Sequence, residues 1–156
     1  MKNILIIALA MTALISCNPP SPLSKEAKSL EHYQSPAMSD LGLPFSDAVI
    51  VDDIIYLSGQ VGNMPGTLEL APGGLAAEAK QAIENMKTLL EANGSSLEDV
   101  IKVTVMMADI SEWAEFNQEY IKFFNGEKKP ARSAFGTNGL ALDARLEIEC
   151  IALRTR

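Results

Sequence analysis

The chain has 156 residues, with 13 Lys and Arg against 20 Asp and Glu, a formal net charge of −7. That length holds about one domain, with a core large enough to fold without disulfide staples. The acidic balance argues against nucleic acid as a ligand, which needs a basic patch, and two cysteines with one histidine, His32, supply no metal-ligand cluster.

The first residues, MKNILIIALAMTALISC, place Lys2 before an apolar run from Ile4 to Ile15 that is too short to span a bilayer, followed by Ser16 and Cys17. Residues 1–16 therefore read as a signal peptide. Leu14-Ile15-Ser16-Cys17 resembles the lipobox of bacterial lipoproteins. The resemblance implies that Cys17 is lipidated, becomes the mature N-terminus and anchors the protein to a membrane outside the inner membrane, periplasmic or outer-membrane. Ordinary secretion with an incidental Cys17 is the alternative. Residues 17–40, rich in Pro, Ser and charge, read as a flexible tether. Globular patterning starts near Leu41, so the domain is expected over 41–156.

Ser46 to Val51 and Ile54 to Ser58 are β-prone runs separated by Asp52-Asp53, the pattern of a hairpin. Pro72-Gly73-Gly74 marks a helix entry. From Leu75, the residues Ala79, Ala82, Ile83, Met86, Leu89 and Leu90 recur at the spacing of one buried helical face, and Asn93-Gly94 stops the helix. Ser95 with Glu98 has the form of a capping box on a short helical turn. Ile101, Val103, Val105 and Met107 alternate as the buried side of a strand.

Asp109 with Glu112 caps a second helix carrying Trp113, Phe116, Tyr120 and Phe124 along a core-facing stripe. In the last strand Leu146, Ile148, Cys150 and Ala152 form an apolar face. Arg145, Glu147, Glu149, Ile151 and Leu153 form the other, which begins charged, ends apolar and calls for a partner surface. The order β-β-α-β-α-β-β gives an α+β two-layer domain, a mixed sheet with two helices on one face.

No Gly-x-Ser-x-Gly elbow, P-loop or dinucleotide fingerprint is present. What remains is a set of polar residues in places where burial makes them costly. Arg132, among small neighbours at a strand start, offers a guanidinium fork that matches a carboxylate; spacing alone also allows a surface cation or a structural ion pair. Glu149 on the partner-seeking face is either a carboxylate that moves protons to and from water or an interfacial or solvated charge. Asn117 on the aromatic helix bonds a loop or a ligand. Ser58-Gly59 at a strand end offers a hydroxyl and backbone amides, or is turn chemistry.

The runs LPFSDAV, IIYLSGQVG, AIENMKTLLEANGSSLEDVIKVTVMMADI, FNQEYIKFF, PARSAF and LEIECIA occur in this order from about Leu43 to Leu153. Together they resemble the Rid (YjgF-type) family of enamine/imine deaminases. The resemblance implies the chorismate-mutase-like fold and a homotrimer around a central barrel, with sites between subunits. It also implies hydrolysis of small 2-imino or 2-enamino acids to 2-oxo acids and ammonia with no cofactor and no metal. By the same resemblance Arg132 grips the substrate carboxylate, Glu149 holds the attacking water, Ser58 and Gly59 line the pocket, and Asn117 stands beside it. Phe45 and Ala134 depart from the pattern, standing where Tyr and Cys are common. Phe45 thereby lacks a hydroxyl near the water, while Ala134 still offers its backbone N–H. A binding module for small carboxylates or a partner protein on the same fold is the alternative function.

Overall fold

A hairpin opens the described core. In a computed structural model that describes residues 28–155, Ala48–Val51 (β2) and Ile54–Val61 (β3) pair antiparallel. Asp52 takes a left-handed φ of 54° at the turn, a conformation that Asp tolerates better than most residues. The remaining strands are β1 (Leu30–Tyr33), β4 (Val100–Met107), β5 (Ala131–Gly136) and β6 (Leu146–Leu153). They form one sheet in the order β1-β2-β3-β6-β4-β5, in which only β4 and β5 run parallel. The final strand thus lies in the middle.

Helices α2 (Leu75–Ala92) and α3 (Trp113–Phe123) cover one face of the sheet, and a single turn, α1 (Pro36–Ser39), follows β1. Ile83, Met86, Leu90 and Phe116 on the helices meet Ile55, Val103, Leu146 and Ile148 on the sheet, all fully buried. The fold is the expected α+β pair of layers. On the opposite face Tyr56, Phe135 and Leu153 remain 48%, 48% and 39% exposed.

Three expectations are corrected. The sheet starts at Leu30 rather than near Leu41, because LEHY pairs with β2 even though it carries no buried face of its own. Backbone pairing and a bidentate contact from Arg154 to Glu31, at 2.9 and 3.0 Å, hold it. Ile101 is 44% exposed, since a register shift between Val100 and Lys102 turns it out of the alternation and buries Val100 instead. The short turn Leu97–Asp99 has no capping box from Ser95 and Glu98: Ser96 stands at its N-terminus, and its hydroxyl donates to the Asp99 carboxylate at 2.7 Å instead of capping a backbone N–H. The Ser95 hydroxyl donates instead to the Leu153 carbonyl. The signal segment, Cys17 and residues 18–27 of the expected tether lie outside the described residues.

The start of β6 is fixed by α2. Buried Glu78 in the first turn of α2 accepts the Arg145 N–H at 2.9 Å, and Gly62, just beyond β3, lies directly against the Glu78 backbone. A Cβ at Gly62 would stand 2.5 Å from Glu78 backbone atoms, which cannot yield as a side chain would. Gly62→Ala should therefore cost about 2 kcal/mol of stability in denaturant unfolding, the scale of overpacking a core. A loss below about 0.5 kcal/mol would contradict the packing described.

Candidate active site

The Ser-Gly-Gln stretch of β3 is where the strand departs from regular pairing. The register against β6 shifts between Leu57 and Gln60, so Ser58 and Gly59 sit on a bulge. Ser58 is held internally: its hydroxyl donates to the Ser46 carbonyl at 2.7 Å and its N–H to the Asp47 carbonyl at 3.0 Å. Gly59 does something only glycine can do here. The Glu147 carboxylate lies against it, in the space that a Cβ would occupy.

Glu147 and Gly59 line a cavity of about 290 Å³ together with Phe45, Gln60, Leu68 and Leu142. Leu142 sits in the left-handed region at φ 61°, followed by Asp143 at φ 57°, and this strained turn leads the chain back into β6. Phe45, 49% exposed, stands at the cavity with no hydroxyl to offer. Burial pushes the Glu147 carboxyl above the ordinary carboxylate range, and the negative charge of Glu149 two residues on pushes it further.

Glu149, expected to hold the water, is not among the residues that line this cavity. It lies on the same sheet face beside Thr104 of β4, displaced from Gly59 by the pitch of the strand. Both glutamates alternate out of the apolar face of LEIEC, so spacing could not choose between them. The bulge in β3 brings Gly59 under the first glutamate and so places Glu147, and not Glu149, at the cavity wall.

Arg132 is built into a different place. It pairs in register with Val103, so its side chain lies on the helix-covered face, opposite to that of Glu147. Its Nη2 donates to Asn117 Oδ1 at 2.8 Å, and the guanidinium carbon lies 4.6 Å from the Trp113 ring centroid and 4.3 Å from that of Tyr120. Among the described residues it has no salt bridge. The single bond to Asn117 leaves most of its five N–H donors for another acceptor. Ala134, two residues on in β5, shares this face and packs partly buried against the core.

The expected residues therefore fall into two groups. Phe45, Gly59 and the unforeseen Glu147 meet at the cavity, while Arg132, Asn117 and Ala134 meet at the β5 edge. The two strand steps from β6 to β5 and three residues along the strand separate Glu147 from Arg132 by on the order of 10 Å in each direction.

A family model described as Endoribonuclease L-PSP matches residues 38–154. The chain belongs to the Rid family, which this model describes. It is 44% identical over 110 residues to the 2-iminobutanoate/2-iminopropanoate deaminase of Rattus norvegicus, covering 70% of this chain and 80% of that one. Among solved structures, RidA from the Antarctic bacterium Psychrobacter superposes with a TM-score of 0.67 at 39% identity, covering 71% of this chain and 89% of that one. E. coli TdcF, solved with bound serine, gives 0.67 at 34% identity, covering 72% and 90%.

The displaced pKa of Glu147 has a thermodynamic consequence. A carboxyl whose folded pKa is raised destabilises the fold once ionised; the stability it contributes is complete below the unfolded pKa and is lost as pH rises through the folded one. Glu147→Gln should therefore have a higher Tm than the wild-type chain at pH 7, with the difference shrinking towards pH 4. Equal Tm values at both pH values would show that burial does not perturb this group.

Proposed function

We propose that this Rid-family chain is a hydrolytic deaminase that converts small 2-imino or 2-enamino acids to 2-oxo acids and ammonia. The observation that carries this reading is the Glu147 carboxyl, seated against Gly59 at the wall of a largely apolar cavity with its pKa raised. The names of the curated relatives support the substrate class, and the bound serine of TdcF shows that a relative accepts a small amino acid. The family model's description as an endoribonuclease finds little support in a chain of net charge −7, which offers an RNA backbone few cations.

The chemistry needs one group that both gives and takes a proton. Protonated Glu147 passes its proton to the imine nitrogen and makes C2 more electrophilic. The resulting carboxylate takes a proton from water as the water oxygen bonds to C2, giving a tetrahedral carbinolamine. The same carboxyl then protonates the amine, the C–N bond breaks to release ammonia, and the carboxylate accepts the hydroxyl proton as the 2-oxo group forms. Arg132 holds the substrate carboxylate with the N–H donors that Asn117 leaves free.

Within one chain Glu147 and Arg132 lie on opposite sheet faces, so the complete site combines the cavity of one copy with the β5 edge of another. The exposed Tyr56, Phe135 and Leu153 on the bare face supply an apolar surface for that assembly, which the family resemblance makes a homotrimer. Membrane anchoring through Cys17, outside the inner membrane, is part of the same proposal and rests on the lipobox-like LISC.

The activity test generates 2-iminobutanoate with an amino-acid oxidase and follows imine loss by semicarbazone formation. The wild-type chain should accelerate that loss. Glu147→Gln should lower kcat by on the order of a hundredfold or more, and Glu149→Gln by less than about tenfold. Arg132→Ala should lower kcat/KM by on the order of a hundredfold. No acceleration by the wild-type chain would end the deaminase reading, and a larger loss in Glu149→Gln than in Glu147→Gln would return the catalytic role to Glu149. For the anchor, Cys17→Ser should move the protein from membrane to soluble fractions; a wild-type protein recovered in the cytoplasm would refute it.

A further inference from the structure

Arg132 is held by more than its hydrogen bond. Trp113, Asn117 and Tyr120 recur at i, i+4 and i+7 along α3 and so form one stripe, which faces the helix-covered side of β5. The guanidinium carbon lies over both the Trp113 and Tyr120 rings, 4.6 and 4.3 Å from their centroids, with Phe116 farther off at 5.9 Å. Tyr120 is itself fixed from behind, stacked on Phe124 at 4.4 Å with 19° between the ring planes. A planar cation against two aromatic faces keeps its plane; an ammonium has no plane to keep.

We infer that Trp113 and Tyr120 are positioning residues, whose rings, with the Asn117 amide, lock the Arg132 guanidinium in the orientation that receives a carboxylate. This rests on the reading of Arg132 as the carboxylate receptor. A free arginine loses rotamer freedom when it binds an anion. An arginine ordered by the fold has already lost it, and the anion binds more tightly for that reason.

The ring of Tyr120 is the working part, not its hydroxyl. The side chain is 6% exposed and its Oη has no hydrogen-bond partner among the described residues. Burial pushes the phenol up to about 12 while the Arg132 cation draws it partly back, so the group stays neutral at any working pH and adds no anion to compete for Arg132.

The experiment compares the full chain with Tyr120→Leu, Tyr120→Phe and Trp113→Leu by three readouts. These are the rotation of the Arg132 Nε–Cζ bond by ¹⁵N NMR, the dissociation constant of 2-oxobutanoate by calorimetry, and the separate values of KM and kcat. Rotation should be slow in the wild-type chain and in Tyr120→Phe, and faster in the two leucine variants. Tyr120→Leu should raise both KM and the 2-oxobutanoate dissociation constant about tenfold while kcat changes by less than about twofold. Tyr120→Phe should keep wild-type values.

A freely rotating guanidinium in the wild-type chain would overturn the inference, and this test needs no variant to fold. So would wild-type affinity in both leucine variants, or a Tyr120→Phe as weak as Tyr120→Leu. If the wild-type chain binds 2-oxobutanoate in a ring-dependent way but hydrolyses no imine, the deaminase proposal fails and the positioning role stands. Rapid hydrolysis with ring-independent affinity is the reverse outcome.

Discussion

The approach of β6 to the bulge in β3 decides where the Glu147 carboxyl sits in this molecule. Because Gly59 has no side chain, the Glu147 carboxyl can lie on the strand backbone instead of reaching into water. That placement raises its pKa, opens the cavity wall to it, and depends on β6 entering the sheet at the right height. The height is set by a chain of contacts: Gly62 lets α2 approach β3, Glu78 on α2 takes the Arg145 N–H, and Glu147 follows two residues later. A small disturbance at Gly62 would thus be felt at the carboxyl.

The arginine of the proposed site depends on a different surface. Arg132 owes its place to the parallel pairing of β5 with β4, which faces it towards α3, where aromatic rings and one amide hold it. A cation fixed so firmly, without an anionic partner among the described residues, is costly unless a ligand or another chain completes it. The two halves have complementary needs, and a second copy of the chain can satisfy both.

Much of the fold was legible in the residues. The hairpin around Asp52-Asp53, the apolar face of α2 and the alternation in LEIEC follow from period and turn chemistry, and each is found in place. β1 was not legible because Leu30–Tyr33 buries little and is held by its backbone and by Arg154, more than a hundred residues away in sequence. The exposure of Ile101 is not legible either, because a bulge is invisible to strict alternation. In the candidate site, Arg132 with Asn117 and Phe45 with Gly59 could be named from the resemblance. That Glu147, and not Glu149, reaches the cavity could not be read from spacing, since both occupy one face of the same strand. It needs the register of β6 against β3, a long-range pairing that no local pattern carries.

In the proposed assembly a working site takes its carboxyl from one copy and its arginine from another. Its most direct test mixes two inactive variants, Arg132→Ala and Glu147→Gln, unfolds and refolds them together, and assays hydrolysis of 2-iminobutanoate. If sites form between copies, random assembly places an intact carboxyl half against an intact arginine half in roughly a quarter of sites, and about that share of wild-type activity returns. A mixture as inactive as its two parents, despite reassembly of the chains, would contradict the account.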